Sequence, residues 1–167
     1  MALSYNPNSY HPSDFDADFC LKPPLLLWAA ILYLARAIVL LIVVGIGNFA
    51  NVNADAMTMM HGVWRPETLV PALVALPVLC ALFRRVAGAS RFVRWIWAHG
   101  RAFLAVAAVL DIALTLMRTI PFQDVDEAVF LGLCAAGADV YVLLYVLAAR
   151  RVRDTFSDFP PPLEKAK

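Results

Sequence analysis

Charge is what this chain has least of: 16% of its residues are charged while 62% are hydrophobic, where soluble domains carry roughly 25% and 45–50%. Polar side chains are too few to cover the outside of a soluble fold, which excludes an ordinary soluble globular domain. An excess of one sign is missing too, the net charge being +1, so bulk charge holds no nucleic acid. Cysteine is scarce and scattered at Cys20, Cys80 and Cys134, without a CxxC pair, so neither a disulfide framework nor a structural zinc site is expected. There is no nucleophile elbow, phosphate loop, dinucleotide fingerprint or HExxH pair. His11, His61 and His99 fall on different segments. No catalytic residue and no cofactor is therefore expected, and the chain does not read as an enzyme. The first 22 residues are polar and acidic, with Asp14, Asp16 and Asp18, unlike a signal peptide, which begins basic and turns apolar.

What is present is apolar sequence in long blocks, as a lipid-facing chain needs. The first span, about 24–46, reaches roughly 35 Å as a helix, enough to cross a hydrocarbon core of about 30 Å. Pro23 and Pro24 suit its first turn. A polar loop follows, then a short span at about 68–83 in which Pro77 predicts a kink. The third span, about 102–120, is interrupted by Asp111, and the fourth, about 127–149, by Asp139. Between spans two and three lies a basic stretch in which Phe92, Trp95, Ile96 and His99 fall at helical spacing. It predicts a short interfacial helix with its aromatic face among the headgroups. The expected fold is all-α: a polytopic bundle of four transmembrane helices with a short basic interfacial segment between helices two and three. Residues 1–22 read as a polar cytoplasmic tail, 23–150 as the transmembrane domain and 151–167 as a cytoplasmic C-terminal tail, disordered or extended from Asp154 through Pro160, Pro161 and Pro162.

Four spans separate the basic residues sharply. Eleven fall on one side: Lys22, Arg84, Arg85, Arg91, Arg94, Arg101, Arg150, Arg151, Arg153, Lys165 and Lys167. Arg65 and Arg118 fall on the other, and Arg36 lies inside the first span. Basic residues stay inside, which predicts a multi-pass protein of the bacterial inner (plasma) membrane with both termini cytoplasmic. Without a crossing at 68–83 the asymmetry would vanish, so the charge pattern supports the weakest span. Expected partners are the lipid bilayer, anionic headgroups at the basic loop, and a membrane-protein partner or a second copy against the small residues Gly132, Ala136 and Gly137.

Arg36, Asp111 and Asp139 each stand about halfway along a different span. A lone charge at that depth costs at least about 2.5–3.5 kcal/mol, so all three are expected to face the bundle interior, with Arg36 between the two carboxylates. The guanidinium fork can serve two acceptors. One Arg against two Asp leaves a negative charge that a proton would neutralise. Tyr33, one turn before Arg36, and Thr115, one turn after Asp111, could extend the cluster. Such a cluster is either a clasp that fixes helix register or a proton or ion site. The outer loop holds Met57, Met59, Met60 and His61, soft ligands of the kind that bind Cu(I); methionine also packs well at a membrane boundary, the commoner use.

The stretch Asp16-Ala17-Asp18-Phe19-Cys20-Leu21-Lys22-Pro23-Pro24 precedes Leu27-Trp28 and Tyr33-Leu34-Ala35-Arg36, and Arg94-Trp95-Ile96-Trp97-Ala98-His99-Gly100-Arg101 precedes the third span. Together they resemble the bacterial family called domain of unknown function 2919, the YfeZ-like predicted inner-membrane proteins. The likeness implies a multi-spanning inner-membrane protein, transfers no catalytic residue, and makes Lys22 and Arg36 positions to watch. The chain departs from the family pattern at Phe19, where a glycine turn is expected. Two functions stay open: a non-enzymatic accessory or scaffold subunit, and a small proton- or ion-coupled transporter or channel component using Arg36, Asp111 and Asp139. A lipid-modifying enzyme is more distant, since no nucleophile and base share a depth.

Overall fold

Apolar segments can satisfy their backbone polar groups away from water by closing into helices, and this chain does so. The computed structural model describes residues 10–16, 19–49, 66–86, 88–119 and 127–160. Among them the helices are α1 (Leu25–Leu34), α2 (Arg36–Phe49), α3 (Leu69–Phe83), α4 (Arg91–Ala98), α5 (Gly100–Thr119), α6 (Glu127–Ala148) and α7 (Arg150–Ser157). Short 3₁₀ turns occupy Pro12–Asp14 and Pro66–Thr68. An isolated antiparallel bridge joins Phe15 to Leu21.

Two helices, at Gly100–Arg118 and Val129–Ala148, are long and apolar enough to cross a membrane. The first apolar run differs from its expectation. It is not one continuous helix over 24–46 but α1 and α2, bent by 71° at Ala35, so it counts as a third crossing only if the bent pair is taken as one span. Ala35 leaves helical geometry at φ −84°, ψ 4°, and its N–H turns to the Ile31 and Tyr33 carbonyls. The Tyr33 carbonyl also accepts from Arg36 Nη1, at 3.1 Å. A side chain inserted at a helix carbonyl is one of the ordinary causes of a sharp kink. The second run forms α3, shorter than a full crossing and continuous through Pro77.

Helix α5 sits at the centre, against α1, α3, α6 and α7. Small residues allow the close approach: Ala75 on α3 and Ala107 and Ala108 on α5 are fully buried. Leu27, Ile31 and Leu34 of α1, Val78 and Leu82 of α3, Leu104 of α5 and Val142 and Val146 of α6 fill the same core. The outward faces stay apolar, with Leu41 and Ile42 on α2, Val106 and Val109 on α5, and Leu131 and Leu144 on α6 exposed. So much exposed apolar surface suits lipid as its surroundings.

The polar ends differ most from the tails read in the sequence. Residues 150–157 form a helix, and Val152, Asp154, Thr155, Phe156 and Asp158 are buried. The N-terminal segment and the loop after α3 close over them as a cap. Trp97 Nε1 donates to the carbonyls of Thr155 and Asp158, at 3.0 and 3.1 Å, near the end of α7. Arg85, with a side chain only 5% exposed, donates to Leu21 O at 2.9 Å and Asp158 O at 3.3 Å and lies over the Trp97 ring. Leu21 N–H donates to Asp158 Oδ2 at 2.7 Å, Tyr10 Oη to Asp154 Oδ2 at 2.7 Å, and Arg151 Nη2 to Asp14 Oδ1 at 2.8 Å. Carbonyls orphaned at helix ends need such donors. Arg101 does the same for α6, donating to Val146 O and Leu147 O. A Cβ at residue 100 would overlap the Phe156 ring, so glycine is required where α5 starts.

Candidate functional site

The break at Ala35 makes Arg36 the first residue of α2 and turns it toward α5. Arg36 Nη2 lies 2.7 Å from Asp111 Oδ2, and the guanidinium rests on the Tyr33 ring, 4.3 Å from its centroid. Asp111 is 1% exposed and Asp139 0%, whereas the Arg36 side chain is 28% exposed. Arg36 is thus the member of the cluster open to its surroundings.

Asp139, on α6, lies beside Asp111, Arg36 and the Tyr33 hydroxyl, close enough to interact with each. The expected arrangement with Arg36 shared between two carboxylates is not what is seen. Arg36 makes its ion pair with Asp111. Among the described residues no donor meets either oxygen of Asp139 in hydrogen-bonding geometry, and the two Asp111 oxygens have the ion pair alone. Tyr33 Oη instead donates to Ala135 O, at 3.2 Å, the carbonyl one helical turn before Asp139. Thr115 is half-buried one turn along α5, and its hydroxyl reaches neither carboxylate. Buried carboxylate oxygens without donors are expensive as anions.

Met57, Met59, Met60 and His61 lie outside the described residues. Among the described residues no group of three or more His, Cys, Asp or Glu could hold a metal ion. On α4 the exposed face carries Phe92, Trp95 and His99, while Ile96 and Trp97 turn inward. The roles of Trp97 and Arg85 escape sequence reading, because their partners on α7 are 58 to 73 residues away. A signal was nonetheless present: Val152 and Phe156 stand four apart, the spacing of one helix face.

Comparison with curated proteins and with solved structures finds no match. The family described as Protein of unknown function (DUF2919) matches over residues 10–158, which takes in the cap, the bent helix pair and all three members of the charged cluster. The chain belongs to that family.

Proposed function

We propose that this protein crosses the bacterial inner membrane four times with both termini cytoplasmic, and that its Arg36–Asp111–Asp139 cluster binds and releases a proton as part of a small proton-coupled carrier or channel component. The observation that carries this reading is Asp139, fully buried beside Asp111 with no donor for either oxygen among the described residues. A register clasp gains most when its polar groups are all paired, and this one leaves a carboxyl group over. The bend supports the same reading, since helices broken near the membrane midplane are where transporters place their coupling sites.

The geometry of α3 supports the fourth crossing. Glu67, just before α3, pairs with Arg118 near the end of α5. Arg85, just after α3, lies over Trp97 shortly before α5 begins. The 15 residues of α3 and the three-residue turn before it reach about 28 Å, so this segment runs antiparallel to α5 along nearly its whole length. The cap gathers Lys22, Arg85, Arg101 and Arg151 on one face, which the positive-inside pattern makes cytoplasmic.

The cap favours a second reading, a non-enzymatic accessory or scaffold subunit. Helix α7 presents exposed Arg150 and Arg153 on a fixed surface, and α4 offers exposed Arg91, Phe92 and Trp95 to anionic headgroups. Purification in mild detergent that brings down a stoichiometric membrane partner would favour it. The proton site has its own test. Infrared spectra of the purified protein should show a protonated carboxyl band that Asp139→Asn removes. Proteoliposomes should take up protons down an imposed gradient, and Asp139→Asn should abolish the flux. No band and no flux in the unmutated protein would end the reading.

A further inference from the structure

We infer that Tyr33 is the positioning residue that senses the proton on Asp139 and converts its presence into the hydrogen bond that ties α1 to the α6 backbone. The inference rests on the proton-binding reading above and deepens it. A tyrosine hydroxyl has one hydrogen, and at Tyr33 it is committed to Ala135 O, a carbonyl that can only accept. The Tyr33 oxygen can therefore only accept from Asp139. An ionised Asp139 is acceptor-only as well, so an anion there would face an oxygen with nothing to offer while itself fully buried. With the Tyr33 hydroxyl on Ala135 O, the arrangement suits the protonated form, in which the Asp139 O–H donates to the Tyr33 oxygen.

Loss of the proton reverses the polarity. A carboxylate accepts more strongly than a peptide carbonyl, because a charge-assisted hydrogen bond is roughly twice as strong as a neutral one. The Tyr33 O–H then turns from Ala135 to Asp139. Ala135 O is not orphaned, since α-helical geometry directs the Asp139 backbone N–H to it. The direct hydrogen bond from α1 to the α6 backbone is lost. Arg36 is held by the Tyr33 carbonyl and ring, so the same residue carries the change to the guanidinium. The ionisable groups facing Asp139 are Asp111 from α5, Arg36 from α2 and Tyr33 from α1.

Tyr33→Phe keeps the ring beneath Arg36 and removes only the hydroxyl. The carboxyl band assigned by its loss in Asp139→Asn should move to higher frequency in Tyr33→Phe, as an acid that has lost its acceptor does. Protection of the α1 amides, measured as exchange relative to the base-catalysed intrinsic rate at each pH, should fall severalfold in the unmutated protein as pH is raised and the band disappears. In Tyr33→Phe that protection should be low on both sides of the transition. A band that Asp139→Asn removes but Tyr33→Phe leaves unmoved, with α1 protection constant across the transition, overturns this inference and leaves the proton site standing. A band that survives Asp139→Asn overturns both. If Tyr33→Phe does not fold, the unmutated protein with a ¹³C label on the Tyr33 ring decides: its phenol C–O stretch must change in step with the carboxyl band, and a constant stretch overturns the inference.

Discussion

Removing Arg36 should damage the protein far more than removing Arg36 and Asp111 together. Their side chains meet at 2.7 Å, with Asp111 1% exposed. Two unit charges about 4 Å apart attract by about 4 kcal/mol at an effective dielectric constant near 20, and the 28% exposure of Arg36 reduces that figure through solvent screening. Arg36→Met leaves Asp111 buried beside Asp139 with no cation, and stripping one partner from a buried pair typically costs about 3–5 kcal/mol. Solvent screening at Arg36 places the expectation at the low end, about 3 kcal/mol. Asp111→Leu alone leaves Arg36 able to turn to Asp139 and should cost less, about 1–2 kcal/mol. Arg36→Met with Asp111→Leu removes both charges in similar volume and should fall within about 1 kcal/mol of the unmutated protein. The implied coupling is about 3–6 kcal/mol. Equilibrium unfolding in mixed micelles of rising SDS content, followed by tryptophan fluorescence, measures all four corners of the cycle. Additive single effects, with a coupling below about 0.5 kcal/mol, would show that the ion pair holds nothing together.

The cap makes three further predictions. The hydrogen bond from Arg151 holds the Asp14 carboxyl below its ordinary range, so this contact stabilises the cap above the unfolded value of about 3.9 and is lost as pH falls below it through the lowered folded value. Acid titration followed by tryptophan fluorescence should show that loss, and Asp14→Asn should flatten it; an unchanged titration refutes the link. Burial, and after it the Asp158 carboxylate, pushes the Cys20 thiol up to about 12. With Cys80→Ser and Cys134→Ser in place, maleimide at pH 8 should leave Cys20 unmodified until Asp158→Ala loosens the cap, and rapid labelling of the intact cap would contradict this. Phe19 sits at φ 57° with its side chain 86% exposed, so Phe19→Gly should raise stability by about 0.5–1 kcal/mol, seen as a higher Tm; a lower Tm means that the ring has a partner.

What could be read in the sequence follows the range over which each signal acts. Asp111 and Asp139 interrupt otherwise apolar runs, and the cost of a charge in lipid is enough to turn both inward. The aromatic spacing from Phe92 to His99 likewise announces α4 and its exposed face. The break at Ala35 carries no glycine or proline to mark it, because its cause is an arginine side chain drawn to a carbonyl by a carboxylate on another helix. The cap was illegible for the opposite reason. Tyr10, Asp14, Asp154 and Asp158 read singly as solvated tail residues, and only pairing across 137 to 144 residues shows that they hold a cap in which Asp154 and Asp158 are buried. Phe19 lies between these cases: the resemblance marks the position as a glycine turn, and the backbone there is left-handed although the residue is phenylalanine.

The cap and the charged cluster are the two ends of one mechanical arrangement. Helix α1 runs ten residues from just beyond Leu21, which the cap holds through Asp158 and Arg85, to the break beside Arg36. Helix α6 carries Asp139 near its middle and is held at its far end by Arg101, where it passes into α7 and the cap. Both helices that Tyr33 joins are therefore pinned at the same end. A change of one hydrogen bond between α1 and α6 then acts through a lever about 15 Å long in α1, with its fulcrum at the cap. Cutting the fulcrum, for example with Arg85→Ala, should leave the proton on Asp139 in place while uncoupling it from the motion of α1. A site that merely clasped the helices together would make no such distinction.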